Sequence, residues 1–179
     1  FKISPLGYVV EQQFNAVNQM TLQVQYAENV MNPLDIINLP ADQVAAKLTK
    51  SDEDRVEYHF FDILGREIFK VDAKLGVTGF SYDKLDHMLT EVHFAKPASA
   101  PVTIGALLAL GVGNSNNGDQ VTQYLYDNLG RRIEKTNPLS FVEKFKVDAL
   151  GQVEKRTDAM RQDLQYEHYG AKRLSGTIK

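Results

Sequence analysis

Three aspartates, Asp62, Asp127 and Asp148, stand in near-identical strings: Asp-Ile-Leu-Gly, Asp-Asn-Leu-Gly and Asp-Ala-Leu-Gly. Paired carboxylates are what hydrolases set across a substrate, one as acid and the other as base or nucleophile. The string Asp-x-x-Gly also occurs in GTP-binding proteins, but there a Gly-rich phosphate loop ending in Lys-Ser/Thr precedes it, and none does here. The four histidines, His59, His87, His93 and His168, are candidate metal ligands, and His87 and His93 would share a face of one strand. A metal site usually takes three or four converging ligands. Arg66, Arg131 and Arg173 follow the same strings. As a row they could hold acidic glycans. The simpler account is that they pair with nearby carboxylates or cover aromatic faces with their stems.

Spacing gives the aspartates a simpler task. Set on one slot, Asp62, Asp83, Asp127, Asp148 and Tyr169 follow one another at steps of 21, 44, 21 and 21 residues. A worn copy places Asn15 in that slot 47 residues before Asp62. Asp-x-Leu-Gly suits a type I turn with Asp first and Gly fourth. The Asp side chain accepts a bond from the N–H two residues on, and Gly supplies the positive φ of a hairpin loop closed by a bulge. Gly65, Gly130 and Gly151 fill the fourth slot, and Asp86 and Asn18 replace it in two copies. Those two residue types best tolerate the left-handed region. Lys172 fills it in the last copy.

The elements that position these turns are strands. One and three residues before the turn lie twelve slots that hold eight of the seventeen Phe and Tyr residues, among them Phe61, Phe80, Tyr82, Tyr124, Tyr126, Phe145 and Tyr166. His59 and His168 also fall in these slots, where a packed imidazole accounts for them. Side chains two apart share a face of a strand, so the pattern predicts one packed aromatic face. Stacked copies would make an aromatic ladder of cross-strand pairs worth roughly 0.2–1 kcal/mol each. A second turn signal, at Asp72, Asn137 and Asp158, follows the first by ten residues. Each 21-residue unit is therefore a hairpin of two short strands. A single hairpin cannot bury a face, so stability must come from neighbours.

The period, the Tyr-Asp pair and the Gly-Arg after it resemble the RHS or YD-repeat family. The resemblance rests on Tyr126-Asp127-Asn128-Leu129-Gly130-Arg131 and Phe61-Asp62-Ile63-Leu64-Gly65-Arg66, with a looser Tyr82-Asp83-Lys84-Leu85-Asp86-His87. It covers about 55–97 and 120–179. It implies a long sheet spiralling into a hollow shell, as in bacterial toxin complexes, polymorphic toxins and teneurins. It also implies a secreted or cell-surface location, an enclosed toxin cargo, and the rest of a longer repeat chain or neighbouring shell subunits as partners. Some bacterial members cleave themselves at Asp-Pro strings beyond the repeats; this chain has no Asp-Pro, and no autoproteolysis is expected within it.

The 179 residues suffice for one domain or a piece of a larger one, and we read them as a single repeat segment of a longer chain. A degraded repeat occupies 1–26, an insertion 27–54, repeats 55–97, an insertion or altered repeat 98–119, and repeats 120–179. Pro40 followed by Ala-Asp-Gln-Val-Ala-Ala-Lys-Leu predicts a short helix near 40–49. The apolar run from Pro101 to Val112 is too short for a membrane-spanning helix and fits a plug, a buried strand or a short core helix. Residues 113–119 read as a polar tip. A net charge of −3 favours neither nucleic acid nor an anionic membrane. With no Cys, disulfides, thiol chemistry and Cys-ligated metals are excluded.

The sequence thus predicts a mainly β fold of antiparallel hairpin repeats in a curved or spiral sheet. The expected role is structural and non-enzymatic, with no cofactor or metal. The alternative is a carbohydrate- or receptor-binding module with its specificity in the two insertions.

Overall fold

The computed structural model describes residues 1–28, 36, 38–112, 118–169 and 173–178. They divide into two compact units, residues 1–78 with 96–109, and 79–95 with 110–179. The first unit holds strands β1 (Lys2–Ile3), β2 (Val9–Phe14), β3 (Met20–Gln25), β4 (Arg55–Phe61) and β5 (Glu67–Val71), and helices α1 (Ala41–Lys47) and α2 (Ile104–Leu108). Strand β6 (Val77–Tyr82) contributes residues to both. The second unit holds β7 (Met88–His93), β8 (Gln120–Tyr126), β9 (Arg132–Thr136), β10 (Val142–Val147), β11 (Val153–Thr157), β12 (Asp163–Tyr169) and β13 (Arg173–Ile178). In each unit sheet neighbours are sequence neighbours and every pair is antiparallel, a meander of hairpins.

The registers show the bulge expected beside these turns. Four hairpins shift register one pair inside their turn: β2/β3 at Gln13/Phe14, β4/β5 at Phe60/Phe61, β8/β9 at Leu125/Tyr126 and β10/β11 at Lys146/Val147. The hairpins β9/β10 and β11/β12 keep unbroken register. A bulge adds a residue to one strand and raises the local right-handed twist. All four follow the first-slot turns, which a meander gathers at one end of the sheet within each unit. In these four hairpins twist is therefore added at the first-slot end. The extra residue also turns Glu67 opposite Phe61 and Arg132 opposite Tyr126.

Full burial does not follow the aromatic slots. The largest fully buried side chains are Phe69, Ile36, Leu107, Val9, Val71 and Val92, whereas Phe61, Tyr82, Tyr126 and Phe145 are only half-buried. The sequence reading of those slots as the packed face is corrected here. An open sheet buries a face only where another layer covers it. In the first unit that layer is the 27–54 insertion: Ile36, which precedes α1, and Val44, within it, close over Val9, Val24 and Tyr26. Val44 faces the sheet while Asp42 at the first turn and Lys47 at the last complement the helix dipole. Residues 96–109 fold as a strap with α2, capped by Thr103 Oγ1 accepting from Ala106 N–H, and Leu107 is buried.

Both insertions are closed in the same way. Asp54 accepts from Ala27 N–H at 2.9 Å, and Asp119 from Ala95 N–H at 2.8 Å. Each aspartate directly precedes the next strand, and each alanine follows a buried aromatic, Tyr26 or Phe94. The carboxylate satisfies a backbone N–H that the sheet ladder leaves behind where the chain departs.

Candidate functional site

The residues with chemical potential lie in the row of first-slot turns, and their side chains are spent on the backbone. Asp62 Oδ1 accepts from Leu64 and Arg66 N–H, both at 2.9 Å, and its backbone bonds close the loop through Gly65 and Arg66. Asp83, Asp127 and Asp148 repeat this arrangement on the residues two and four ahead, and Asn15 does so with its amide oxygen. The second-slot residues Asp72, Asn137 and Asp158 do the same. Gly65, Gly130 and Gly151 lie at φ 82°, 75° and 81°, with Asn18 at 62° and Asp86 at 67° in the same slot. In the second row the left-handed slot is filled by Leu75, Ser140 and Arg161, at φ 65°, 63° and 61°. Residues 170–172 of the expected last turn lie outside the described residues, as do the side chains of His168 and Arg173 and the tip at 113–117.

At Asp62, Asp83 and Asp127 the second oxygen is taken too. Arg66 Nε donates to Asp62 Oδ2 and Arg131 Nε to Asp127 Oδ2, each at 2.7 Å, and the Nη2 atoms complete both forks at 2.7 Å. In the third copy His87 replaces arginine, with Nδ1 2.8 Å from Asp83 Oδ2. The Arg131 N–H bond, the guanidinium and the Leu129 N–H hold the Asp127 carboxyl below the usual carboxylate range. At Asp62 and Asp83 partial burial pushes the other way, but the same kinds of bond prevail and the carboxyls are again lowered. A catalytic acid needs the opposite environment, one that keeps its proton near neutrality.

The residue four past the turn also reaches the following turn. Gln19 Nε2 donates to Gly65 O at 2.6 Å, and Arg131 Nη1 donates to Asp148 O. The His87 ring stacks on Tyr126 at 4.7 Å and lies over Gly130, where an added Cβ would come within 2.5 Å of His87 Nε2. Gly130 is thus required both for its backbone angle and for this close approach. Turns of one row are fastened to each other as well as to themselves.

The three histidines with described side chains each meet a different carboxylate. His59 Nδ1 meets Glu67 Oε1 at 2.5 Å, His87 meets Asp83, and His93 Nε2 lies 3.4 Å from Glu91. Among the described residues no group of three or more His, Asp or Glu is placed to hold a metal ion. Arg66 and Arg131, the possible glycan ligands, have their forks on their own turn aspartates.

The aromatic slots form a mixed face. Each return strand lies between successive aromatic strands, so the direct cross-strand partners are charged or small: Phe61 faces Glu67, Tyr124 faces Lys135, Tyr126 faces Arg132, Phe145 faces Arg156 and Tyr166 faces Gly176. The expected aromatic-on-aromatic ladder is replaced there by an alternation. The Arg132 guanidinium lies 5.5 Å from the Tyr124 ring centre and 5.6 Å from that of Phe145, a cation between two π faces. Phe80 and Tyr82 lie on β6, both half-buried. Sequence alone could not show Arg132 in this role, because Tyr124 and Phe145 come to either side of it only through the pairing of three strands.

No protein-family model matches the chain, and no curated protein does. Solved structures do. The chain superposes on TcdB2-TccC3-Cdc42 with a TM-score of 0.63 over 94% of its length at 13% identity, covering 7% of that chain. It superposes on the Photorhabdus luminescens Tc holotoxin pore (mutation TccC3-D651A) with a TM-score of 0.62 over 94% at 12% identity, and on TcdB2-TccC3 with 0.61 over 92% at 13%. The fold is shared. In each case the chain spans about 7% of the matched chain.

Proposed function

We propose that this chain is a non-enzymatic structural segment of a YD-repeat shell, a wall of hairpins that encloses or presents a toxin or effector domain. The observation that carries the reading is the fold shared with Tc toxin proteins over 94% of the chain, where it matches only 7% of theirs: a stretch of wall. The turn chemistry supports it, because the carboxylates that resemble catalytic groups are occupied by backbone N–H groups and arginine forks. Its partners are then further repeats or shell subunits and an enclosed cargo, and its setting a secreted bacterial toxin. Among the described residues no helix is long and apolar enough to cross a membrane.

The test is protease protection. The chain is produced within its full reading frame and treated with trypsin, beside the downstream domain made alone. Protection of that domain only when the repeats are present supports enclosure. Equal digestion in both preparations refutes it.

A further inference from the structure

The second unit carries an open groove of about 490 Å³ between strands β9 and β12, lined by Arg132, Glu143, Phe145, Val153, Arg156 and Tyr166. Its charges do not balance. Arg156 pairs with Glu143 through Nη2, while its Nε is buried with no acceptor among the described residues. Arg132 is exposed and rests only on the rings of Tyr124 and Phe145; no carboxylate meets it among the described residues. Lys135 stands opposite both Tyr124 and Glu143 and adds a third cation to that face. Within the groove two arginines thus face one carboxylate, Glu143, with Lys135 beside it; Asp158 and Asp163 lie on the far side of Arg156, where Asp163 is held by Lys155 and Thr157, and Glu91 accepts from the Tyr124 hydroxyl at 3.2 Å.

From this imbalance we infer that the groove is a docking site for an acidic peptide segment in extended conformation. The arginine fork matches a carboxylate with two parallel N–H bonds. Arg132 and Arg156 stand on strands two apart, about 9.5 Å by ordinary strand spacing, and an acidic run in an extended chain brings carboxylates to both. The ring faces of Tyr124 and Phe145 are already covered by a guanidinium, so the apolar planes that would stack on a sugar are taken. The inference goes beyond the enclosure reading and stands without it, since the groove belongs to this chain alone.

The experiment is titration of the 179-residue chain at low salt with hexaglutamate and, separately, with oligogalacturonate, read by calorimetry and by the ring resonances of Phe145 and Tyr166. Hexaglutamate is expected to bind one per chain, to shift those resonances and to weaken with added salt. Arg132→Gln is expected to weaken it about tenfold, and Lys74→Gln, at an exposed turn of the first unit, to leave it unchanged. Glu143→Gln, which deletes the one competing carboxylate, should tighten it, so the inference stays testable even if Arg132→Gln fails to fold. No binding of hexaglutamate, binding indifferent to both groove variants, or preference for oligogalacturonate would each overturn it.

Discussion

At the residue scale, one carboxylate in this chain does several structural jobs. Asp127 holds two backbone N–H groups on one oxygen and an arginine fork on the other. Asp127→Asn keeps the first set and loses the charge that holds Arg131, so thermal unfolding should rank wild type above Asp127→Asn above Asp127→Ala. Gly130→Ala meets two penalties, a left-handed backbone and the His87 ring. It should cost about 1–2 kcal/mol from the backbone alone, read as a shift in denaturant midpoint, and pairing it with His87→Ala should recover the part due to the ring. Arg161 occupies the same backbone region without being glycine. Arg161→Gly should be neutral or stabilise by up to about 1 kcal/mol, the left-handed penalty removed less the freedom glycine gains when unfolded.

Much of this scale was legible in the sequence. Asp followed by Gly three residues later states a turn type, because backbone geometry admits few residues at each slot. What the string omits is the partner in the next turn. Gln19, His87 and Arg131 share a slot but not a residue type, and their reach across to Gly65, Gly130 and Asp148 depends on strand spacing and bulge placement.

At the scale of elements, the insertions and bulges adapt an otherwise repetitive meander. Alternation and aromatic enrichment identify the strands, since a half-exposed strand must show a period of two. They do not identify the covering layer. Eight Phe and Tyr residues in twelve slots suggest a core, but a sheet face is buried only where an insertion lies on it, as α1 lies on Val9 and Val24. Val44→Ala should therefore destabilise the first unit by about 2 kcal/mol, checked by amide exchange at Val24 and Tyr26. Asp54→Ala should free the base of that insertion and raise protease cleavage within 27–54 while leaving strands β8 to β11 protected. The closing aspartates went unread because a lone Asp before a strand has no pattern until its Ala27 or Ala95 partner is seen in space.

At the scale of the whole molecule, the lowered carboxyls are distributed along the chain: Glu11, Asp54, Asp62, Asp83, Asp127 and Asp163. Each has a lower pKa folded than unfolded, so near pH 4 and below the unfolded chain binds more protons than the folded one. Their stabilisation is complete above the unfolded carboxylate range and lost as pH falls through the folded values. Urea midpoints should be flat near neutrality and fall from about pH 4 downward, and Asp127→Asn should remove part of that slope. Three of these carboxyls, Asp62, Asp83 and Asp127, are turn aspartates and three lie elsewhere, so no one site carries the pH dependence.

The central claim is that the aspartates of the first-slot turns are fasteners of a hairpin wall. Residue-resolved amide exchange on Asp62→Ala, Asp127→Ala and Asp148→Ala tests it most directly. The account predicts that each substitution speeds exchange at the amides two and four residues ahead, Leu64 and Arg66, Leu129 and Arg131, Leu150 and Gln152, with the Asp127 change also felt at the Asp148 turn through Arg131. Unchanged exchange at those amides in all three variants would contradict it.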